Sequence, residues 1–285
     1  MRLPFFLARR FVAAETLAEA LPVVDRLSDS GMHVALDLLG EYVSDRQVAL
    51  AARDAYIDLV ETLAQQTTSR DVNISIKLSM LGQKIDEEFC LANLKDLLTK
   101  AKEADVFVRL DMEGSDTTES TISLFEAVYP DFPDHVGIVL QAYLKRTKQD
   151  VERMCKLDAR VRLCKGAYKE PASIAYQDMP TIRERFIEYA EMLIANARYP
   201  GIATHDDSLI EATKSFVERE GIGRDRFEFQ MLYGIRTDTQ QQLAGEGYNM
   251  RVYVPYGTEW VPYFSRRLRE RRENIWFVLK NLFKG

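Results

Sequence analysis

The chain has 285 residues, of which 46% are apolar and 29% charged, and its formal net charge is −6 at pH 7. This length fits one (β/α)₈ barrel of about 250 residues, and the acidic balance argues against a nucleic-acid-binding protein, which usually has a basic face. Three scattered cysteines are too few for a disulfide framework, and no apolar run reaches the roughly 20 residues of a transmembrane helix, so a cytoplasmic protein is expected.

The first predicted element is a helix over residues 13–30, within an N-terminal helical extension of residues 1–31. After it, short runs rich in Val, Ile, Leu and Phe recur along the chain, as expected for strands of a buried parallel sheet. The eight runs are residues 33–40, 72–80, 106–114, 136–143, 160–168, 201–206, 227–232 and 250–257.

Amphipathic helical patterns occupy most intervals between these runs. They are predicted at residues 44–66, with Ser44 as N-cap, and at 86–104, 181–196, 208–220, 237–246 and 258–282. Strands that alternate with helices imply right-handed βαβ crossovers. Eight such units favour an α/β fold of the (β/α)₈ TIM-barrel type, with an open doubly wound sheet as the alternative. Because no linker divides the chain, we expect a single domain over residues 1–285.

Polar residues recur late in the predicted strands or directly after them, where enzymes of this barrel fold carry their chemistry. They are Lys77, Asp111, Gln141, Arg162, Lys165, Thr204, His205, Gln230, Tyr253 and Tyr256. Polar groups in apolar runs are costly unless they are partnered. Lys77 and Asp111 considered alone could be a buried structural ion pair, but repetition from strand to strand favours a lined pocket.

The motifs of several enzyme classes are missing from the sequence. The three histidines show no HxH or HExxH spacing and the cysteines no CxxC, so no metal site is expected. No GxSxG, P-loop or GxGxxG follows a predicted strand. The remaining candidate residues are cationic and aromatic. They suit a small carboxylate-bearing substrate and a phosphate-bearing organic cofactor.

The last predicted helix carries a run of arginines between residues 266 and 272. A charge run of this kind is usually a solvated helix face. However, this helix follows the eighth strand directly, so its first turns should border the barrel mouth. Arg266 and Arg267 project about 100° apart, and they could meet on one ligand only through their long side chains.

Eight motifs, taken in order, resemble those of the proline dehydrogenases, which occur as monofunctional bacterial enzymes and as a domain of bifunctional proline-utilisation proteins. The motifs are RFVAAETLAEALP (10–22), SIKLSM (75–80), RLDMEGS (109–115), LQAYLKRT (140–147), VRLCKGAYKEP (161–171), ATHD (203–206), FQMLYGIR (229–236) and RVYVPYGTEWVPYFSRRL (251–268). Each is weak alone, but together they are highly specific.

The resemblance implies an enzyme that binds FAD non-covalently and oxidises L-proline to Δ¹-pyrroline-5-carboxylate by hydride transfer to flavin N5, the first step of proline catabolism. It further implies that electrons pass to a membrane quinone, so that a cytoplasmic protein visits the inner face of the cell membrane as a peripheral protein. The chain has no room for an aldehyde dehydrogenase domain. Its product would pass to a separate pyrroline-5-carboxylate dehydrogenase through transient contact.

The resemblance also implies roles for individual residues. Arg266 and Arg267 would bind the proline carboxylate with Lys77, while Glu270 would hold the arginine pair. Asp111 would pair with Lys77 as a catalytic residue. Further implied contacts are Tyr168, Tyr253 and Tyr263 around the proline ring, Arg162 beside flavin N5 as a catalytic residue, and Met112, Gln141, Arg162, Lys165, Gly166, Ala167, Thr204, His205 and Gln230 on FAD. His205 could instead be a structural histidine, and Cys164 is expected to be neutral packing.

Three other functions are compatible with parts of the pattern. A Schiff-base aldolase of the same fold would use Lys77 or Lys165 as its nucleophile. A flavin-dependent folate reductase is a nearer relative but does not explain the paired arginines after Tyr263. A barrel that binds an amino acid without turnover is the non-enzymatic alternative.

Overall fold

The structure is a computed structural model that describes residues 4–40, 42–65 and 71–270. Eight parallel strands form a closed barrel in chain order, and the last strand pairs with the first. The strands are β1 (His33–Leu38), β2 (Val72–Ile76), β3 (Val108–Leu110), β4 (Val136–Gln141), β5 (Val161–Cys164), β6 (Gly201–Ala203), β7 (Glu228–Leu232) and β8 (Asn249–Tyr256). The predicted (β/α)₈ barrel is confirmed, and an open sheet is excluded.

The predicted N-terminal helix is also confirmed as α1 (Leu17–Asp29). Thr16 caps it, because Thr16 Oγ1 accepts from the Glu19 backbone N–H (3.4 Å) and donates to Glu19 Oε2 (3.1 Å). The other helices in the described ranges are α2 (Arg46–Gln65), α3 (Glu87–Glu103), α4 (Thr118–Val128), α5 (Thr147–Lys156), α6 (Met179–Asn196), α7 (Asp207–Arg219), α8 (Thr237–Gly245) and α9 (Trp260–Glu270). None of these helices combines the length and apolar composition that a membrane span requires.

Helices α4 and α5 were not predicted, because the first begins with β-branched and hydroxyl residues of low helix propensity and the second is largely polar. The predicted N-cap Ser44 is also wrong. Asp45 caps α2 instead, since its Oδ1 accepts from the backbone N–H groups of Gln47 (2.7 Å) and Val48 (3.1 Å). Carboxylates and hydroxyls both serve as N-caps. The sequence pattern therefore did not show whether Ser44 or Asp45 caps α2.

Seven of the eight predicted runs extend past the end of their strand in the structure, and two of these departures shape the carboxyl end of the barrel. After β2 the chain turns at Lys77 into a short 3₁₀ helix, Leu78–Leu81. After β5 the chain leaves the sheet, and Gly166 adopts a φ of 109°. Both departures bring backbone and side chains to the carboxyl end of the barrel.

Apolar side chains on the outer face of the strands pack against the surrounding helices, and Leu36, Ile74 and Val108 are fully buried there. The barrel interior carries many polar side chains instead, including Arg109, Glu228 and Arg251. Because buried charges require partners, the interior must contain an organised network of ion pairs.

The segment before α1 packs against α9. Leu7, Phe11, Trp260 and Phe264 belong to one buried cluster, and the rings of Phe11 and Phe264 lie 6.3 Å apart. The backbone N–H of Ala13 donates to the Pro255 carbonyl (2.9 Å) at the end of β8. The N-terminal extension therefore supports the helix that follows the last strand.

Candidate active site

A cluster of polar side chains lies at the carboxyl ends of β3, β5 and β8. Arg162 donates from Nη1 to Asp111 Oδ1 (2.8 Å), and the Tyr253 hydroxyl donates to Asp111 Oδ2 (2.7 Å). Arg162 also donates to Ser75 Oγ (3.1 Å), and its guanidinium lies 5.2 Å from the Tyr253 ring centroid. These bonds fix both predicted catalytic residues, Arg162 and Asp111, in one rigid group.

On the side toward the amino end of the barrel, Arg162 is held by a series of hydrogen-bonded polar residues. Arg162 Nε donates to Gln230 Oε1, and Gln230 Nε2 donates to Glu228 Oε1. Glu228 in turn accepts from Arg251 Nε (2.9 Å), and Arg251 Nη2 donates to Asp71 Oδ2 (2.7 Å). The network runs through the barrel interior from its amino end to Arg162. Gln230 bonds to protein side chains here, and its predicted contact with FAD stays a prediction.

The expected pairing of Lys77 with Asp111 is wrong. Lys77 Nζ forms its ion pair with Asp37 Oδ1 on β1, at 2.8 Å, and Asp37 is almost fully buried. Burial alone lowers the pKa of Lys77, but Asp37, Tyr56 and Asp111 together raise it above the ordinary lysine value. Lys77 is therefore held as a cation. The two residues after Asp37 are leucines, so a carboxylate inside an apolar run was the available signal for this missed residue.

Helix α9 brings the two predicted carboxylate-binding arginines to one aromatic ring. The guanidinium carbons of Arg266 and Arg267 lie 6.0 and 5.1 Å from the ring centroid of Tyr263, which is buried. Their long side chains thus overcome the angle between neighbouring positions on a helix. Glu270 is the last residue of α9, and its side chain lies outside the described part of the chain.

Tyr168 lies in the loop after β5 and is 40% exposed. Partial burial and Glu113 raise the pKa of Tyr168, whereas the positive charges of Arg266 and Lys77 act to lower it. Tyr168 follows β5, Lys77 follows β2 and Arg266 lies on the helix after β8, so these predicted substrate-binding residues share the carboxyl end of the barrel.

A second cationic group lies at the ends of β5 and β6. Lys165 Nζ (3.0 Å) and Arg183 Nε (2.8 Å) both donate to Asp206 Oδ2. Burial raises the pKa of Asp206, but the hydrogen bonds from Arg183, Ser208 and Lys165 bring it well below its usual range. Thr204 is buried beside them, and its Oγ1 accepts from the Asp206 N–H (3.1 Å). Lys165 and Thr204, both predicted to contact FAD, are thus neighbours.

His205 is held by hydrogen bonds to its ring and to its backbone carbonyl. Its Nε2 accepts from the backbone N–H of Leu232 (3.0 Å), and its carbonyl accepts from Arg236 (2.7 Å). A neutral ring that accepts at Nε2 carries its hydrogen on Nδ1. This geometry fits the alternative that His205 is a structural histidine. Its predicted contact with FAD stays a prediction.

The loop after β5 approaches an aromatic ring closely. A Cβ at Gly166 would lie 2.1 Å from Tyr143 Cδ1, and the positive φ is unfavourable for other residues. Nearby, Gln141 donates from Nε2 to the carbonyls of Met112 (3.5 Å) and Glu113 (3.2 Å). The Gln141 Oε1 is buried and has no hydrogen-bond donor among the described residues. This end of the barrel therefore retains an unsatisfied acceptor.

Two further carboxylates tie together the loops around the site. Glu113 accepts from the backbone N–H (3.2 Å) and hydroxyl (2.7 Å) of Ser79. Glu170 accepts from the backbone N–H (2.8 Å) and hydroxyl (2.6 Å) of Ser115. Glu113 thus links the loop after β3 to the loop after β2, and Glu170 links the loop after β5 to the loop after β3. Sequence reasoning assigned neither residue a role, although Glu113 lies at the end of the predicted run 106–114 and Glu170 comes two residues after the run 160–168.

Cys164 behaves as the sequence analysis expected. Its thiol lies 3.6 Å from the Leu140 carbonyl, and burial raises its pKa to about 11. A thiol is a poor nucleophile when its pKa is raised in this way. The Cys164 side chain therefore contributes to packing and is not a reactive nucleophile.

Comparison with known proteins identifies the family to which the chain is similar. The sequence model of the family described as "Proline dehydrogenase" matches residues 20–280. Proline dehydrogenase 1 of Bacillus subtilis subsp. natto is 41% identical over 277 residues, which cover 97% of this chain and 91% of the relative. The proline dehydrogenase of Deinococcus radiodurans is 41% identical over 283 residues, which cover 98% and 91% of the two chains.

A solved structure shares the fold. It is proline utilization A of Bdellovibrio bacteriovorus inactivated by N-propargylglycine, with a TM-score of 0.86 and 27% identity. The match covers 93% of this chain and 32% of that larger protein. The near-complete family match and the two relatives of nearly equal length settle the assignment. The chain belongs to the proline dehydrogenase family.

Proposed function

We propose that the protein catalyses the FAD-dependent oxidation of L-proline to Δ¹-pyrroline-5-carboxylate and that its electrons pass to a quinone. The reaction removes a hydride from C5 of proline and a proton from its nitrogen, which leaves a C=N bond. The observation that carries the proposal is the placement of Lys77, after β2, and of Arg266 and Arg267, on the helix after β8, at the same end of the barrel as the Arg162–Asp111–Tyr253 cluster. Such a site combines carboxylate binding with a preorganised cation.

The residues at the carboxyl ends of β4 to β6 fit a large polar cofactor. Gly166 allows backbone to approach closely, the buried Gln141 Oε1 can accept from a ring N–H, and Lys165 adds positive charge suited to a phosphate. We assign FAD to Met112, Gln141, Arg162, Lys165, Gly166, Ala167, Thr204, His205 and Gln230. When bound, FAD supplies the hydride acceptor that amino-acid side chains lack.

The side chains of this chain would then bind and orient the substrate. Arg266 and Arg267 grip the carboxylate from α9, and Lys77 is kept charged by Asp37 to serve as the third cation. Tyr168, Tyr253 and Tyr263 enclose the apolar ring and exclude water. Orientation of this kind contributes a large part of catalysis when the reacting atoms are held close together.

The contacts of the two candidate lysines argue against the Schiff-base aldolase. A nucleophilic amine must be neutral, which requires a depressed pKa. Lys77 is ion-paired with Asp37 at 2.8 Å and its pKa is raised, while Lys165 is ion-paired with Asp206 at 3.0 Å. Lys77 is thus held as a cation, and the amine of Lys165 is engaged in an ion pair rather than presented as a nucleophile.

The proposed reaction requires an electron acceptor and an enzyme that consumes its product. A quinone acceptor is confined to membranes, so we propose that the protein works in the cytoplasm and contacts the inner face of the cell membrane peripherally. The unstable cyclic imine product must be oxidised further. We propose a separate pyrroline-5-carboxylate dehydrogenase as its consumer, reached through transient contact.

The visible spectrum of the purified protein, recorded before and after anaerobic addition of L-proline, tests the proposal. We expect a flavin band that L-proline bleaches and that D-proline and L-lysine leave unchanged. A flavin that stays oxidised would contradict the substrate and direct attention to folates or other amines. A colourless protein that FAD does not reconstitute, and that borohydride traps with a carbonyl substrate, would instead support the aldolase.

A further inference from the structure

A cavity of about 440 Å³ opens at the amino end of the barrel, opposite the candidate active site. Its lining residues precede or begin strands β1, β2, β5, β6 and β8, and none of them has a role in the proposed reaction. They are His33, Asp71, Arg160, Arg198, Tyr199 and Asn249. The volume lies within the range typical of small-molecule sites.

Arg160 is held between two aromatic rings at this cavity. Its guanidinium carbon lies 4.0 Å from the Phe107 ring centroid and 5.0 Å from that of Tyr199. Its Nε is buried, and no atom within the described ranges accepts a hydrogen bond from it. No described carboxylate forms an ion pair with Arg160. Stacking thus orients a planar cation whose Nε has no acceptor among the residues that the structure describes.

Tyr199, whose ring contacts Arg160, has a strained backbone conformation. Its φ is 46°, which is rare for a bulky residue. The next residue is Pro200, which disfavours helical backbone geometry in the residue before it and so adds to the strain. Strained residues of this kind concentrate at ligand sites, where the surrounding structure maintains them. The strain is an observation independent of the Arg160 geometry.

The charges around the cavity leave an excess of positive charge. Asp71 lines the cavity, but Arg251 Nη2 already neutralises it at 2.7 Å. Arg198 forms an ion pair with the exposed Asp134 at 2.9 Å and donates to the Pro133 carbonyl (2.7 Å). The lining itself carries two arginines, Arg160 and Arg198, and one carboxylate, Asp71, which is already paired with Arg251. Burial also lowers the pKa of Arg160, as expected for a guanidinium that lacks an anionic partner.

We infer that the amino end of the barrel binds a phosphate-type oxyanion, with Arg160 as the main ligand and Arg198 as a second cation. A guanidinium fork donates two parallel hydrogen bonds to such an anion. The side chains of His33 and Asn249 line the same cavity and can serve additional oxygens. The shared chemistry fits either free phosphate or the phosphate group of a nucleotide, whose base could stack on an aromatic wall.

Isothermal titration calorimetry of the full chain in chloride buffer tests this inference, with inorganic phosphate, AMP and adenosine as separate probes. We expect saturable binding of phosphate to the wild-type protein and binding at least about tenfold weaker to Arg160→Gln, since charge-assisted hydrogen bonds are lost. Arg219→Gln is the matched control, because this arginine is exposed and does not line the cavity. It should bind phosphate like the wild type.

The other probes separate the two sources of phosphate. AMP that binds more tightly than inorganic phosphate would identify a nucleotide-carried phosphate, whereas equal or weaker binding would identify the free ion. If Arg160→Gln does not fold, Arg198→Gln provides the second variant, with an expected severalfold loss. The inference fails if the wild type binds neither phosphate nor AMP, if adenosine binds as well as AMP, or if binding survives unchanged in the folded variants.

Discussion

Glu228 is the residue on which the buried barrel network depends. It is fully buried, and both its oxygens accept from Arg251 Nε, at 2.9 and 3.0 Å. Gln230 donates to the same carboxylate and presents its own oxygen to Arg162. A single carboxylate therefore neutralises one buried arginine and, through an amide, orients the arginine of the active site.

We expect Glu228→Gln to lower the free energy of unfolding by about 3 kcal/mol, because removal of one partner of a buried ion pair typically costs 3–5 kcal/mol and Asp71 still accompanies Arg251. Urea unfolding followed by circular dichroism measures the effect. Glu218→Gln, at an exposed position of α7, should change stability by less than about 0.5 kcal/mol. Equal stability of the two variants would contradict the role given to Glu228.

The same carboxylate predicts a pH dependence. Burial raises the pKa of Glu228, but Arg251 and the other arginines lower it overall, from an ordinary 4.5 to about 2. A carboxylate with a depressed pKa contributes stability that is fully present above 4.5 and is lost as the pH falls toward 2. Unfolding curves between pH 6 and about 2.5 should therefore show the wild type losing its advantage over Glu228→Gln. A constant difference across this interval would show that Glu228 does not titrate there.

Arg266 is expected to act mainly in substrate binding. Loss of a charge-assisted hydrogen bond to a carboxylate costs about 1.5–3 kcal/mol, so Arg266→Gln should raise KM for L-proline by roughly tenfold to a hundredfold, with a smaller effect on kcat. Ser265→Ala, on the same helix, is the matched control, since the Ser265 hydroxyl bonds only locally to Val261. Steady-state kinetics that show a fall in kcat with unchanged KM would place Arg266 outside the carboxylate site.

At the scale of single elements, the loop after β5 shows why strand boundaries were hard to predict. The apolar run continues to residue 168, but pairing in β5 ends at Cys164. Gly166 then adopts a left-handed conformation and approaches Tyr143. The close approach depends on Tyr143 from the preceding strand loop, and no local pattern within residues 160–168 contains that information.

We expect Gly166→Ala to destabilise this loop by more than about 1 kcal/mol, since Ala is incompatible with the positive φ and its Cβ would collide with Tyr143. Under the proposed function, the variant should also retain less flavin after purification. Absorbance of the flavin per mole of protein and thermal unfolding measure the two effects.

Gly245→Ala is the appropriate control for this substitution. Gly245 ends α8, and a Cβ there would meet no atom within 4 Å. Replacement of glycine by alanine at a compatible position stabilises a protein by about 0.4–1 kcal/mol. If Gly166→Ala behaved like Gly245→Ala, the tight approach to Tyr143 would not constrain the loop.

At the scale of the whole molecule, the N-terminal segment and α9 form one unit at the carboxyl end of the barrel. Phe11 is fully buried against Phe264, in the cluster that also contains Tyr263. Phe11→Ala should therefore lower stability by about 3–5 kcal/mol. It should also raise KM for proline, because the helix that carries Arg266 and Arg267 loses its support.

Phe6→Ala provides the comparison within the same segment, since Phe6 is 50% exposed. It should leave both thermal unfolding and KM near wild-type values. An unchanged KM in a folded but destabilised Phe11→Ala would indicate that α9 holds its arginines in place without the N-terminal segment.

The sequence by itself determined the barrel, because eight apolar runs alternating with amphipathic stretches can bury both faces of a parallel sheet in few ways. It also placed Lys77, Asp111, Arg162 and Arg266 at the carboxyl end, since strand order fixes which ends meet. Only the tertiary structure decided the pairing of these charges: Lys77 bonds to Asp37, and Asp111 to Arg162 and Tyr253. Partners 40 to 142 residues apart are chosen by strand register and side-chain reach, which no local pattern encodes.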